Sequence, residues 1–167
     1  MNEQDCKKLA ELLFPDVDKT PDYYEEKYPY RKLPNKAEVT RLGPSPTGFI
    51  HLGNLYSALA DERIAHKNGG VFYLRIEDTD QEREVEGAVD MIYKVMDQTG
   101  LGYDEGPNKP GEVGPYVQSE RLAIYKEYAD KLVELGGAHY CFCDEETINK
   151  AKEESDNEEL GYIDPCK

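Results

Sequence analysis

The chain has 167 residues and a formal net charge of −15 at pH 7, from 35 acidic and 20 basic residues. This length suits one compact domain with a short appendage, and no apolar run is long enough to cross a membrane. Met1–Phe14 lacks the features of a signal peptide and the cysteines show no disulfide framework, so we expect a cytoplasmic protein without a membrane partner.

Residues 1–36 are predicted to form a helical N-terminal extension. Apolar side chains recur at helical spacing within Glu3–Phe14. Thr20 and Pro21 supply the capping hydroxyl and the first-turn proline that begin a second helix, Pro21–Lys27. The tyrosines of this segment indicate an appendage that docks on the domain rather than a catalytic element.

Residues 37–110 are predicted to be the first half of a nucleotide-binding domain. A strand at Glu38–Leu42 leads into a helix at His51–Lys67, and the apolar run Val71–Ile76 predicts a buried parallel strand. A second helix with a clear apolar stripe ends at Gly100. This order predicts an α/β fold with a parallel sheet. The apolar side of the first of these helices is expected to comprise Leu52, Leu55, Tyr56, Leu59 and Ala60.

Residues 111–167 are predicted to contain the remainder of this half-domain and the start of an insertion. A loop rich in Gly and Pro precedes a helix at Ser119–Leu135. The segment His139–Cys143 is expected to form a short strand. An acidic helix capped by Asp144 follows it.

The loop from Gly43 to Asn54 is the first candidate for chemistry. A strand that enters a helix through a Gly-rich loop is typical of nucleotide-binding units, and a helix N-terminus attracts phosphate. His51 lies at that terminus, where its ring can donate a further hydrogen bond. The loop matches neither the P-loop nor the G-x-G-x-x-G pattern. On composition alone, a turn-forming loop with a helix cap is an equally good interpretation.

Opposite charges follow the two predicted strands. Arg41 ends the first strand, and Glu77, Asp78 and Asp80 follow the second. Ligands bind at the carboxyl ends of parallel strands, where a guanidinium grips a carboxylate and an acidic side chain holds an ammonium group. The arrangement therefore suits an amino acid with an acidic side chain. The alternative is an internal ion pair between Arg41 or Arg75 and these acids.

A resemblance to a known family rests on the stretch Arg41-Leu42-Gly43-Pro44-Ser45-Pro46-Thr47-Gly48 and on His51-Leu52-Gly53-Asn54. Together they resemble the first signature of class I aminoacyl-tRNA synthetases, in the form found in bacterial glutamyl-tRNA synthetases. Blocks that resemble later parts of this family follow in the same order at Arg75–Asp80, Tyr103–Pro107 and Gly114–Arg121. The resemblance implies the first half of a Rossmann-like parallel sheet, followed by an acceptor-binding insertion.

The resemblance also implies an activity and roles for individual residues. The activity is ATP-dependent activation of glutamate, with Mg²⁺, and its transfer to tRNA(Glu). Glutamate would be bound by the residues at Arg41, Gly43, Ser45 and Glu77. ATP would be bound at Thr47, Gly48, His51 and Gly53, and the catalytic set would be His51, Gly53 and Asn54. Asp80 matches a residue near the tRNA 3′ end, and Gly43 replaces the alanine more usual at its position.

Three cysteines resemble the zinc site of some bacterial members of this family. They are Cys141, Cys143 and Cys166, and the fourth ligand that a tetrahedral Zn²⁺ site needs would lie just past Lys167. Reduced cysteines without a metal are an equally good interpretation.

The sequence contains no second signature loop of the Lys-Met-Ser-Lys-Ser type and no anticodon-binding domain. We therefore expect the amino-terminal portion of a longer, monomeric glutamyl-tRNA synthetase, weak or inactive by itself. The acidic charge fits a tRNA footprint that lies mainly elsewhere. The alternatives are the paralogue that glutamylates a modified base, queuosine, in tRNA, and a non-catalytic module that binds ATP or an amino acid.

Overall fold

The computed structural model describes residues 2–154, which divide into two compact units. The larger unit covers residues 16–128, and the smaller one combines residues up to 15 with those from 129 onward. None of the helices in residues 2–154 has the length and apolar character needed to span a membrane. All the residues predicted to bind glutamate or ATP lie in the larger unit.

The element order confirms the predicted α/β class. The elements are α1 (Glu3–Leu13), α2 (Pro21–Lys27), β1 (Val39–Leu42), α3 (Leu52–Lys67), β2 (Val71–Leu74), α4 (Ala88–Thr99), α5 (Leu122–Glu134) and α6 (Glu145–Glu153), with 3₁₀ turns at Gln81–Arg83 and Ser119–Arg121.

The sheet of the larger unit is parallel, as predicted. β1 and β2 pair in register from Val39 opposite Val71 to Leu42 opposite Leu74. On the other side of β2, residues 105–117 contribute two parallel bridges, one to Tyr73 and one to Ile76. β2 therefore lies between β1 and this third segment, and the carboxyl ends of β1 and β2 meet at one edge.

One face of the sheet carries the core of the larger unit. Buried side chains from the strands and from the second residue after β2 meet buried residues of α3 and α4: Leu42, Phe72, Leu74 and Ile76 with Ala58, Ala65, Ile92 and Met96. Each large apolar side chain buried in this way contributes about 1.5–3 kcal/mol to folding. The stripe predicted for α4 is confirmed, and the helix begins at Ala88 because Gly87 adopts a left-handed φ of 79°.

The predicted apolar side of α3 is wrong except at Leu55, which packs against the core. Leu52 and Tyr56 are 81% and 75% exposed, whereas Ala58, Glu62 and Ala65 are the buried residues of the helix. These three positions recur at helical spacing, and the two alanines are small enough to let the helix lie close to the sheet. Packing distance, rather than side-chain hydrophobicity, therefore decides which side of α3 faces inward.

The predicted strand at His139–Cys143 is also wrong, because the backbone between α5 and α6 is irregular there. The rings of Tyr140 and Phe142 instead pack against each other, with centroids 4.6 Å apart, and Phe142 is 88% exposed. The two alternate positions contact one another rather than a neighbouring strand, which is what a half-buried strand would need. The cap predicted for α6 is confirmed, since the Thr147 N–H donates to Asp144 Oδ1 at 2.9 Å.

Candidate active site

The loop that follows β1 is held against the residues that follow β2. The backbone N–H of Arg75 donates to Leu42 O at 3.0 Å. Two residues further on, the N–H of Glu77 donates to Pro44 O at 3.0 Å. The parallel hydrogen-bonding pattern thus continues past both strands, and Pro46 of the loop is fully buried. This anchoring places the Gly43–Asn54 loop beside Glu77.

His51 is the N-cap of α3. Its Nδ1 accepts a hydrogen bond from the Gly53 N–H at 3.1 Å, and Asn54 Oδ1 accepts one from the His51 N–H at 3.1 Å. Because Nδ1 is an acceptor, the neutral ring carries its proton on Nε2, where it is available to a ligand. The cap thus fixes the tautomer that a phosphate-binding histidine requires.

A cavity of about 270 Å³ opens beside this helix start. Its wall includes five of the predicted site residues, Ser45, Thr47, Gly48, His51 and Asn54. A Cβ built on Gly48 would meet no atom within 4 Å, so the loop opens onto space there. Small-molecule sites typically measure about 300–1,000 Å³, so this cavity suits part of a nucleotide, such as its phosphates.

Arg41 and Glu77 form an ion pair in which Arg41 Nη1 donates to Glu77 Oε1. Arg75 Nη2 donates to the same oxygen at 2.9 Å. Gly43 lies directly beneath the pair, and a Cβ at this position would collide with the ends of both side chains. The structure therefore brings together three of the four residues predicted to bind glutamate. It also contains the internal ion pairs that were the alternative interpretation.

Two guanidinium groups, those of Arg41 and Arg75, contact the Glu77 carboxylate. Burial lowers the pKa of Arg75, and the nearby positive charges of Arg41 and Arg121 lower it further. Arg41 and Arg75 thus repel each other while sharing this carboxylate, in a chain that is strongly acidic as a whole. An anionic ligand would relieve that repulsion.

Two acidic residues after β2 have separate partners. Asp78 accepts hydrogen bonds from the N–H and Oγ–H of Ser119 at 2.8 and 2.5 Å, a contact that the sequence interpretation missed although both residues lie in its motifs. Asp80 accepts from Arg83 Nε at 2.6 Å, and this hydrogen bond lowers the pKa of Asp80. Asp80 pairs with Arg83 rather than with Arg41 or Arg75, and it is not part of the cavity wall.

The predicted zinc ligands are only partly within the described residues. Cys141 and Cys143 lie between α5 and α6 in the smaller unit, and Cys166 lies outside residues 2–154. Among the described residues, no three His, Cys, Asp or Glu side chains are grouped closely enough to hold a metal ion.

Comparison with known sequences extends these observations. The family model described as tRNA synthetases class I (E and Q), catalytic domain, matches residues 38–164. The chain is 51% identical over 164 residues to the glutamate–tRNA ligase of Acetivibrio thermocellus, a match that covers 95% of this chain and 30% of the relative. It is 60% identical over 117 residues to the glutamate–tRNA ligase of Clostridium novyi, over 70% of this chain and 24% of the relative. The chain thus spans less than a third of the length of these relatives.

Solved structures agree with the fold. A glutamate–tRNA ligase from Elizabethkingia meningosepticum, determined in complex with its amino acid, superposes with a TM-score of 0.61 at 39% identity, covering 72% of this chain and 24% of that one. The glutamate–tRNA synthetase of Elizabethkingia anophelis gives a TM-score of 0.62 at the same identity and coverage. The residues that the family model matches include the loop, the strand ends and the helix start that form the candidate site. The chain therefore belongs to the catalytic-domain family of class I tRNA synthetases of the E and Q type.

Proposed function

We propose that this chain supplies the glutamate site and part of the ATP site of a glutamate–tRNA ligase. The observation that carries the proposal is the ion pair between Arg41 and Glu77, at the strand ends beside the His51 cap. A cation and an anion side by side match the two kinds of charge on glutamate, and a capped helix start lies next to them for phosphate.

In this proposal the substrate replaces the internal ion pair. The side-chain carboxylate of glutamate takes the Arg41 guanidinium, and its ammonium group takes the Glu77 carboxylate. Ser45, exposed on the same loop, adds a hydroxyl. Arg75, which also contacts Glu77, adds a second guanidinium beside the pair and favours a substrate that carries two carboxylates.

The chemistry then needs positioning rather than a covalent enzyme intermediate. An oxygen of the glutamate α-carboxylate attacks the α-phosphorus of ATP, and the bond to the departing pyrophosphate breaks. A terminal ribose hydroxyl of tRNA later attacks the glutamyl carbonyl, and AMP leaves. His51 donates from Nε2 to a phosphate oxygen while charge develops there, with the Thr47–Gly48 backbone close by in the same cavity wall.

Further partners follow from the same proposal. Mg²⁺ bound to the ATP phosphates would neutralise part of their charge. Asp80 would lie near the tRNA 3′ end, and the protein would work in the cytoplasm as a monomer. For zinc, Cys141 and Cys143 are thiolate ligands of the right type, but the described residues do not complete a tetrahedral set.

The test is a chimera in which this chain replaces the matching segment of the Acetivibrio ligase, to which it is 51% identical. We expect ATP–pyrophosphate exchange that depends on L-glutamate and not on L-glutamine or L-aspartate. The unmodified Acetivibrio ligase is the positive control. A folded chimera that binds ATP but shows no exchange would instead favour a non-catalytic binding module. Exchange in the presence of glutamine would contradict the assignment of Arg41 and Glu77.

A further inference from the structure

The segment before β1 is fastened to the domain by a buried ion pair. Arg31 Nη1 and Nη2 donate to the two carboxylate oxygens of Glu105, each at 2.5 Å, across 74 residues of sequence. The two side chains are only 11% and 12% exposed. Glu105 lies inside the region that the family model matches, residues 38–164, whereas Arg31 precedes it. The extension therefore supplies a cation to a carboxylate of the catalytic domain.

Glu105 depends on that cation. The Arg31 guanidinium holds the pKa of Glu105 below its usual range, against burial, which raises it, and together with the Tyr116 hydroxyl, which also lowers it. Tyr116 donates to Glu105 Oε2, and the negative charge of Asp104 raises the pKa of Glu105. Without Arg31, a buried carboxylate would retain one neutral donor, which is too little to compensate its desolvation.

The Glu105–Tyr116 contact closes a loop that borders β2. The N–H of Leu74 donates to Glu105 O at 2.9 Å, and the N–H of Ile76 donates to Tyr116 O at 2.9 Å. Residues 106–115 bulge out between these two points, and Gly111 lies so close to the Glu105 carboxylate that a Cβ would collide with it. The ion pair thus sits at the base of the loop and fixes its two ends along β2.

This segment leads directly to the candidate glutamate site. The N–H of Gln118 donates to Ile76 O at 2.9 Å, and the next residue, Ser119, donates twice to Asp78. Glu77 lies between these two anchored positions. The orientation of its side chain therefore depends on neighbours that are both bonded to the segment fixed by Glu105, Ile76 through its carbonyl and Asp78 through its carboxylate.

We propose that Arg31 is a positioning residue for the glutamate site, acting through Glu105 and Tyr116 to hold residues 104–119 against the end of β2. The effect of Arg31 on glutamate binding rests on the proposed glutamate activation, whereas its role in fixing residues 104–119 does not. The N-terminal extension then has a defined role, since it completes the support behind Glu77 rather than contacting the substrate.

Residue-resolved amide hydrogen exchange on the 167-residue chain tests whether Arg31 fixes residues 104–119. Arg31→Met should accelerate exchange at Leu74, Ile76 and Gln118 by roughly tenfold or more, with little change in α3. Lys32→Met, which removes the adjacent exposed cation, is the matched control and should leave these amides unchanged. Exchange at the wild-type rate, or equal acceleration throughout the core, would overturn the proposal.

Two further variants show whether the effect runs through Glu105. Combining Arg31→Met with Glu105→Gln should bring the exchange rates back toward the wild type, because a neutral amide needs no counter-ion and still accepts from Tyr116. A double variant as fast as the single one would overturn the proposed route. If Arg31→Met fails to fold, Arg31→Lys serves instead. It keeps the charge but loses the two-pronged contact, and unchanged exchange in that variant would overturn the proposal.

The effect of Arg31 on glutamate binding is tested in the Acetivibrio chimera. Arg31→Met should raise the KM for glutamate by about tenfold, within the cost of a small misplacement, and leave the KM for ATP within about twofold. An equal rise in both constants, or none, would overturn the positioning role. A chimera that activates no glutamate even with Arg31 intact would refute the proposed function, while the exchange data would still decide whether Arg31 fixes the loop.

Discussion

Arg41 and Glu77, which lie 36 residues apart, form an ion pair across the carboxyl ends of β1 and β2. Their side chains are 36% and 31% exposed, so the pair lies at an accessible edge of the sheet. Exposed pairs of this kind contribute only about 0–1 kcal/mol, which a charged substrate can readily replace. The two proposed recognition groups are therefore held together by a contact that costs little to open.

Gly43→Ala should separate this pair and strengthen glutamate binding. A methyl group at Gly43 would collide with the ends of the Arg41 and Glu77 side chains, which are flexible enough to move apart. The substrate would no longer need to break their contact, so the KM for glutamate in the chimera should fall by up to about fivefold, the equivalent of about 1 kcal/mol.

Gly102→Ala is the matched control, because a Cβ there meets no atom within 4 Å and the position lies outside the site. It should leave the KM for glutamate unchanged. A weaker affinity for glutamate in Gly43→Ala would mean that the substrate itself needs the space above this glycine.

His51→Ala should reduce adenylate formation far more than glutamate binding. The Nε2–H is available to phosphate only because Nδ1 accepts from Gly53, and the loss of one such transition-state donor typically costs about 10²–10³ in rate. Pyrophosphate exchange measures the first effect, and calorimetric titration with glutamate measures the second. Comparable losses in both would contradict the phosphate role.

His51→Asn separates the cap from the chemistry. Asparagine is a good N-cap, so it should recover the roughly 0.5–2 kcal/mol of stability that His51→Ala loses, measured by urea unfolding. It cannot reproduce the Nε2 donor, so exchange should remain low. Recovery of both stability and exchange would show that His51 acts only as a cap.

His66 should make the stability of the domain depend on pH. Its Nε2 lies 2.8 Å from Asp104 Oδ2, a hydrogen bond that raises the pKa of His66, and the negative charge of Glu62 raises it further. The stabilisation should be complete below the unfolded pKa of about 6.5 and should disappear as the pH rises through the higher folded pKa. Removing the imidazolium should cost about 0.2–1 kcal/mol, given its exposure.

Urea unfolding of the wild type and of His66→Gln at pH 5.5 and pH 8.5 measures this effect. The difference in the free energy of unfolding should be larger at the lower pH. A difference that is constant across this range would show that the charge on His66 contributes nothing.

The sequence predicted the arrangement of the site better than the burial of its helices. Strand ends and helix starts follow from local patterns, so Arg41, His51 and Glu77 were placed correctly relative to β1, α3 and β2. For α3, hydrophobic periodicity predicted the wrong buried side. Close contact with the sheet favours the small residues Ala58 and Ala65, and periodicity carries no information on that distance.

Contacts between distant residues had no signal in the sequence. Arg31 and Glu105 look like two of many charged residues until folding brings them together, and the pairing of Asp78 with Ser119 depends on the same third segment beside β2. Gly43 could be recognised as unusual, but the reason for a glycine there emerged only from the position of the Arg41–Glu77 pair.

The most direct test of the account is the effect of Arg41→Ala on the two Michaelis constants of pyrophosphate exchange in the Acetivibrio chimera. Losing a charged hydrogen-bond partner of about 1.5–3 kcal/mol should raise the KM for glutamate roughly 10- to 150-fold. The KM for ATP should stay within about twofold of its original value. Arg63→Ala, at an exposed arginine of α3, should change neither constant. An unchanged KM for glutamate in Arg41→Ala would contradict the assignment of this strand-end pair as the glutamate site.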